Sequence, residues 1–306
     1  MVRDIGTPGS DPGQPTSKAE FARQVADRSL KELSEQLAAG NSVHLEAFLK
    51  AASRFHRYSF GNILLIMCQR PDATRVAGFH TWKSLGRSVR KGEKGIAIFA
   101  PMMIRPREEQ DAPESDGDAS APKQLRFRVV HVFDVSQTEG EPLPEPARVG
   151  GNPGEALLRI ESAVRESGIA LETADSLGGA DGVSSGGKIE IRAGLKPAER
   201  FAVIVHEWAH ELLHKGAERA ELTRTVRETE AEAVAFIVSQ AIGLEAGTAA
   251  ADYIKLYRGN PETLAGSLDR IQHAACTIIE SIQTEPATTT VPHRTSVGVA
   301  AYGRQR

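Results

Sequence analysis

The sequence predicts an α+β protein of two domains. A chain of 306 residues is long enough for two units of ordinary size. Apolar positions of helical period alternate with short strand-like runs in both halves. A Pro- and acid-rich stretch at 105–122 and a Gly-rich linker at 150–154 interrupt those patterns. The composition, 40% apolar and 25% charged, is that of an ordinary globular protein. No apolar run reaches the length of a membrane span and the N-terminus is polar, so a cytoplasmic protein with no membrane partner is expected. Cys68 and Cys276 lie far apart in apolar settings and read as small buried hydrophobes.

Residues 1–16 carry Pro, Gly and polar residues without apolar period and read as a disordered tail. The first domain is expected over 17–144. Ser17 can cap a helix whose face is Phe21, Val25, Leu30, Leu33 and Leu37, ended by Gly40. A helix from His44 to Arg54 follows, then Tyr58 to Cys68, apolar enough to be the core of this domain. The glycines and charges of 86–95 read as a hairpin-like loop leading into a strand from Ile96 to Pro101. A flexible insertion at 105–122 separates it from a second long strand, Leu125 to Val135, expected to pair with 96–103.

The second domain is expected over 150–285. Ala156, Leu157, Ile160, Ala163 and Val164 define a helix stopped by Gly168. Strands at Ile169–Thr173 and Lys188–Arg192 flank a Gly/Ser-rich loop, and Lys188–Arg192 is read as an edge able to pair with an extended peptide. Two helices follow, then a helical stretch from Ala249 to Tyr257 and a last helix over Leu264–Gln283. The tail 286–306 reads as disordered.

The chemistry concentrates in His206-Glu207-Trp208-Ala209-His210. Four residues apart on a helix, His206 and His210 stand one above the other and can bind one Zn²⁺ together. Glu207 lies beside them, placed to take the proton of a water at the ion, the role of a catalytic base. The flanking Phe201, Ile204, Val205, Trp208, Leu212 and Leu213 make the helix apolar on much of its circumference, and Pro197 suits its first turn. A third ligand must come from elsewhere, and the candidate is Glu230 on the next helix. His214, about 12 Å of helix rise from His206, is too far to join the same ion on a straight helix. It reads as a histidine of the helix C-terminus or a partner of the ligands.

The net charge of −3 hides a segregation. From Arg54 to Lys94 nine basic residues stand against Asp72 and Glu93, and the acidic excess falls later in the chain. Trp82, Lys83, Arg87, Arg90, Lys91 and Lys94 suit a single-stranded DNA surface, with lysines and arginines on phosphates and an aromatic ring on an unpaired base. The same residues also suit a solvated basic loop beside a core tryptophan, and composition alone does not choose.

Two resemblances meet on these motifs. Phe60-Gly61-Asn62-Ile63-Leu64-Leu65, Thr81-Trp82, Val89-Arg90-Lys91-Gly92-Glu93-Lys94-Gly95 and Val132-Phe133-Asp134-Val135 resemble the N-terminal single-stranded-DNA-binding domain of the ArdC antirestriction proteins and the related TraC primases. His206-Glu207-x-x-His210-x-x-x-His214 with Glu230-Ala231-Glu232 resembles the ArdC zincin-like metallopeptidase domain and, more distantly, the ImmA/IrrE metallopeptidases. The resemblance implies a zinc ion on His206, His210 and Glu230, and its Glu-Ala-x-x-x-Ala register favours Glu230 over Glu228 and Glu232, which lie about 200° around the helix from it. It implies a mobile-element protein that binds single-stranded DNA, cleaves an unidentified protein or peptide substrate, and protects incoming DNA from restriction. Two alternatives stand beside that reading: a non-proteolytic DNA-binding protein with structural zinc, and an ImmA-like protease that cleaves a repressor.

Overall fold

Three helices open the described chain: α1 (Lys18–Ala38), α2 (Val43–Arg54) and α3 (Phe60–Gln69). The structure, a computed structural model, describes residues 18–104, 124–143, 151–215, 222–244 and 261–283. The expected tails, the 105–122 insertion, the boundary near 144 and the helix expected at 249–257 lie outside the described residues. Four consecutive apolar residues of α3, Ile63 to Ile66, are buried, so this helix is the floor of the N-terminal core as its composition predicts. Cys68, one turn on, is exposed and Cys276 half-buried, so the expectation of two buried thiols does not hold.

The N-terminal sheet is built from β1 (Val76–Gly78), β3 (Ile96–Ile104) and β4 (Gln124–Asp134), in the order β1-β4-β3 and antiparallel throughout. Ile96, Ile98 and Val132 alternate inward onto the helices. The outer edge of β3 is closed by side chains of α3. Asn62 exchanges two hydrogen bonds with the backbone of Phe99, and Gln69 does the same with Ala97, at 2.8–2.9 Å. The two amides stand in for a neighbouring strand and cover an otherwise open edge. Between β1 and β3 lie α4 (Phe79–Ser84) and β2 (Arg87–Val89). Where the sequence reads as a loop, β2 pairs with β5 (Thr138–Gly140), a strand too short for alternation to reveal. Asp134 ends β4 by accepting from the backbone of Thr74, Arg75 and Ser136, so its buried carboxylate ties three segments together.

The C-terminal half starts with α5 (Glu155–Glu166), then β6 (Ala170–Ala174), β7 (Gly182–Ser184) and β8 (Lys188–Arg192), ordered β6-β8-β7. β8 is parallel to β6 and antiparallel to β7. It is therefore the central strand, with Ile189 and Ile191 fully buried, and the edges are β6 and β7, the latter inside the stretch read as a Gly/Ser loop. The long helices α6 (Pro197–Leu213), α7 (Arg224–Ala241) and α8 (Pro261–Gln283) complete the fold. α7 packs against α6, α8 and the N-terminal α2, which explains why it is buried on nearly every side. Among the described residues no helix is long and apolar enough to cross a membrane.

Candidate metal centre and nucleic-acid surface

Pro197 opens α6, and the Glu199 carboxylate accepts from the backbone N–H of Lys196 to fix its first turn. The helix then carries His206 and His210 on one face, with Nε2 atoms 3.2 Å apart. The carboxylate that meets them comes from α7 and belongs to Glu228. Its Oε2 lies 3.4 Å from His206 Nε2 and 3.5 Å from His210 Nε2. Two ring nitrogens and one carboxylate oxygen thus lie within 4.8 Å of one another. In a tetrahedral centre with bonds of roughly 2.0–2.1 Å, neighbouring ligand atoms stand about 3.3 Å apart. The donor set and its spacing fit a divalent cation.

Glu230, the carboxylate expected as third ligand, is elsewhere. It is fully buried, accepts from His214 Nε2 at 3.0 Å and pairs with Arg270 of α8. The reason is helical rotation. Glu230 shares the buried face of α7 with Ala233, Val234 and Ile237, whereas Glu228 is half exposed and turned toward α6. Burial alone would raise the Glu230 carboxyl, but hydrogen bonds from His214 and Ser267 and the Arg270 charge hold it below the usual carboxylate range. Glu232 stands 3.7 Å from His206 Nδ1, on the other side of that ring. His214 is buried too, with its Nδ1 3.0 Å from His210 Nδ1, so it touches His210 without joining the three convergent atoms.

Glu207 is brought to the same place. Burial pushes its carboxyl up, the neighbouring His206 draws it down, the Glu228 charge raises it again, and hydrogen bonds from Ser184 counteract part of the rise. The His210 ring is pushed down to about 4, first by burial and then by the charge of His206, so it is neutral at neutral pH. A cleft of about 400 Å³ opens here between β7 and the helices. Gly182, Val183 and Ser184 line one wall, with Glu207 and the arginines Arg224 and Arg227 across from them. Gly182 is glycine for a steric reason. A Cβ there would lie 2.5 Å from Val203 Cγ1 and 2.8 Å from Glu207 Cγ. Glu211, one residue past His210, accepts from the backbone of Gly186 and Gly187 at 2.8 Å and pins the β7–β8 turn to α6.

The expected DNA residues separate into two groups. Trp82 is 2% exposed and donates its indole N–H to the Phe133 carbonyl, so no ring face is open to a base. Arg87 spends its guanidinium on Thr138, Gly140 and Glu141 of the β5 segment, holding β2 to β5. Arg90 pairs with Glu93 at 2.7 Å. Lys83, Lys91 and Lys94 are exposed. The exposed ring in this region is Phe79, at 51%, edge-on to His80 at the start of α4. It stands three residues before the tryptophan, and sequence reasoning passed over it because the larger ring looked the better stacking platform.

Fold and site together define a mixed helix–sheet protein with a helix-borne histidine pair and a carboxylate from the next helix. Residues 19–133 match the N-terminal domain of anti-restriction factor ArdC. The crystal structure of antirestriction protein ArdC from plasmid R388, in its metal-free form, superposes with a TM-score of 0.51 at 18% identity, covering 86% of this chain and 97% of that one. Its Mn(II)-bound form gives 0.50 at the same identity, with 86% and 98% covered. A Bacillus anthracis protein, pXO2-81, is 25% identical over 305 residues, covering 86% of this chain. The chain spans about half of that relative's length, 51%. Residues 19–133 thus resemble the ArdC N-terminal domain, and the fold over most of the chain resembles that of R388 ArdC.

Proposed function

We propose that this protein is a metal-dependent peptidase with a single-stranded-DNA-binding N-terminal domain, acting in antirestriction as the names of its ArdC relatives suggest. The observation that carries the peptidase reading is the convergence of His206, His210 and Glu228, the last two of which line one cleft with Glu207. A divalent ion, zinc by its preference for this nitrogen-rich set, would be held by those three side chains and supply Lewis-acid chemistry to a carbonyl and a water. Glu207 takes the proton of the attacking water and passes it to the leaving amine. Its raised proton affinity suits a group that must both accept and release. Among the described residues β7 is an edge strand, and apart from Ser184, which bonds Glu207, its outer backbone groups would be offered to an extended peptide laid along the cleft.

The reading is tested by digesting casein with the metal-loaded protein and its Glu207→Gln variant. Hydrolysis by the parent and its loss in the variant, with the metal still bound, is the expected outcome. Equal hydrolysis by both proteins would remove Glu207 from the chemistry, and no hydrolysis by the parent would remove the peptidase. For DNA, the surface is Lys83, Lys91 and Lys94 with Phe79 as the stacking ring, in place of the buried Trp82 and the engaged Arg87. Fluorescence anisotropy with a labelled oligonucleotide at several salt concentrations is the test. Affinity that does not fall with salt would rule out this surface.

A further inference from the structure

Behind the three convergent ligand atoms a chain of contacts runs from Arg270 on α8 through Glu230 on α7 and His214 on α6 to His210, and the proposed chemistry uses none of its first three members. Arg270 pairs with Glu230 Oε1. The other oxygen, Oε2, lies 3.0 Å from His214 Nε2. His214 Nδ1 lies 3.0 Å from His210 Nδ1, and His210 Nε2 points at His206 and Glu228. Glu230 and the His214 side chain are fully buried.

Hydrogen counting along this chain has one consistent solution. A carboxylate only accepts, so His214 Nε2 carries the hydrogen. Arg270 already balances the Glu230 charge, so a second hydrogen on His214 would leave the cluster with a net buried positive charge, which is costly; His214 holds one hydrogen and its Nδ1 is a lone pair. His210 must then donate from Nδ1, which leaves its Nε2 as the lone pair facing Glu228. From this geometry we propose that Arg270, Glu230 and His214 are positioning residues that fix the tautomer and ring orientation of His210 for a divalent ion. Orientation of a ligating imidazole through its second nitrogen is a general device, typically changing metal affinity by about 10- to 100-fold. Here it is relayed through a second imidazole to a carboxylate on another helix. The inference rests on the metal-site reading above but concerns residues that do not touch the ion.

Glu230→Gln separates the two. A glutamine can donate its amide to His214 Nε2, which turns the His214 hydrogen to Nδ1 and with it the His210 hydrogen to Nε2. Two measurements on the full chain decide. Long-range ¹H–¹⁵N spectra of the metal-free wild type are expected to show His210 protonated at Nδ1 and His214 at Nε2, and in Glu230→Gln the pattern reverses. Titration calorimetry with Zn²⁺ is expected to show roughly 10- to 100-fold weaker binding by Glu230→Gln, with affinity recovered in Glu230→Asp. A wild-type His210 protonated at Nε2 overturns the relay, even if the variant fails to fold. So does a folded Glu230→Gln that binds Zn²⁺ as tightly as wild type. A wild type that binds no Zn²⁺ while showing the expected tautomers overturns the metal site and leaves the relay standing as a feature of the fold.

Discussion

Replacing Gly182 by alanine places one methyl group where three atoms already are. The added Cβ would stand 2.5 Å from Val203 Cγ1, 2.8 Å from Glu207 Cγ and 2.9 Å from Glu207 Oε1. Ordinary carbon contacts lie near 3.5–4.0 Å, so the overlap with valine is about 1 Å. Val203 is β-branched and stiff at χ1, and Glu207 is met near the root of its side chain, so neither yields at a free end. Overpacking of this kind costs about 1–3 kcal/mol. At roughly 2–4 °C per kcal/mol for a chain of this size, the melting temperature should fall by about 2–12 °C. The functional effect is sharper, because relief comes most directly by moving Glu207. The closest approaches of the added atom are all to Val203 and Glu207 rather than to His206, His210 or Glu228, so Zn²⁺ affinity is expected to stay within a few-fold of wild type while casein hydrolysis is lost. Differential scanning calorimetry and the two binding and digestion assays measure the three effects side by side. An alanine variant with unchanged melting temperature and full hydrolysis would show that β7 does not press on Glu207 and that the cleft is wider than described.

The remaining predictions test the other links. Glu228→Gln is expected to weaken Zn²⁺ binding more than Glu230→Gln does, read by calorimetry; strong binding that survives here and vanishes in Glu232→Gln would move the ligand to Glu232. Asp134 is buried, and although burial alone would raise its carboxyl, hydrogen bonds from Ser136, Thr74 and Arg75 hold it low. Its contribution is therefore present above the ordinary carboxylate range and lost as pH falls through its depressed folded value. Asp134→Asn should cost roughly 1.5–3 kcal/mol near pH 7 and progressively less below about pH 4, measured by urea unfolding at each pH. Replacing Lys83, Lys91 and Lys94 together by alanine should lower the salt slope of single-stranded DNA binding by about 2, near 0.7 per lost phosphate contact. Trp82→Ala should instead destabilise by about 3–5 kcal/mol, as a core truncation does, so a folded Trp82→Ala that loses only DNA affinity would reinstate the ring as a contact.

How much of this was legible depends on the length of the signal. The long helices, the pairing of 96–103 with the strand after the insertion, and the histidine pair all follow from patterns repeated over several turns or residues. The three-residue strands β2, β5 and β7 have no room for alternation, and β7 matters most because it takes the edge position expected of β8. Trp82 misled because a large ring beside a lysine looks like a platform, and only the carbonyl of Phe133 reveals that its N–H is spent inside. Glu230 misled by family register, although a local signal pointed the other way. Val226, Glu230, Ala233, Val234 and Ile237 fall on one helical stripe, and a lone carboxylate on an apolar stripe faces the core, where it needs a cation such as Arg270. Glu228, one half-turn away, was the exposed carboxylate free to turn toward α6.

The partners of Glu230 also account for its burial. A carboxylate in the core is destabilising unless its charge is balanced and its lone pairs are met, and here Arg270, His214 and Ser267 meet them. The result binds three helices at one point: α8 through Arg270, α7 through Glu230 and α6 through His214. The same α7 packs on α2 of the N-terminal half, and Gln272 of α8 donates to the His56 carbonyl just past the end of α2. The helix that presents Glu228 is therefore held from behind by an ion pair and from the side by the core of the N-terminal half.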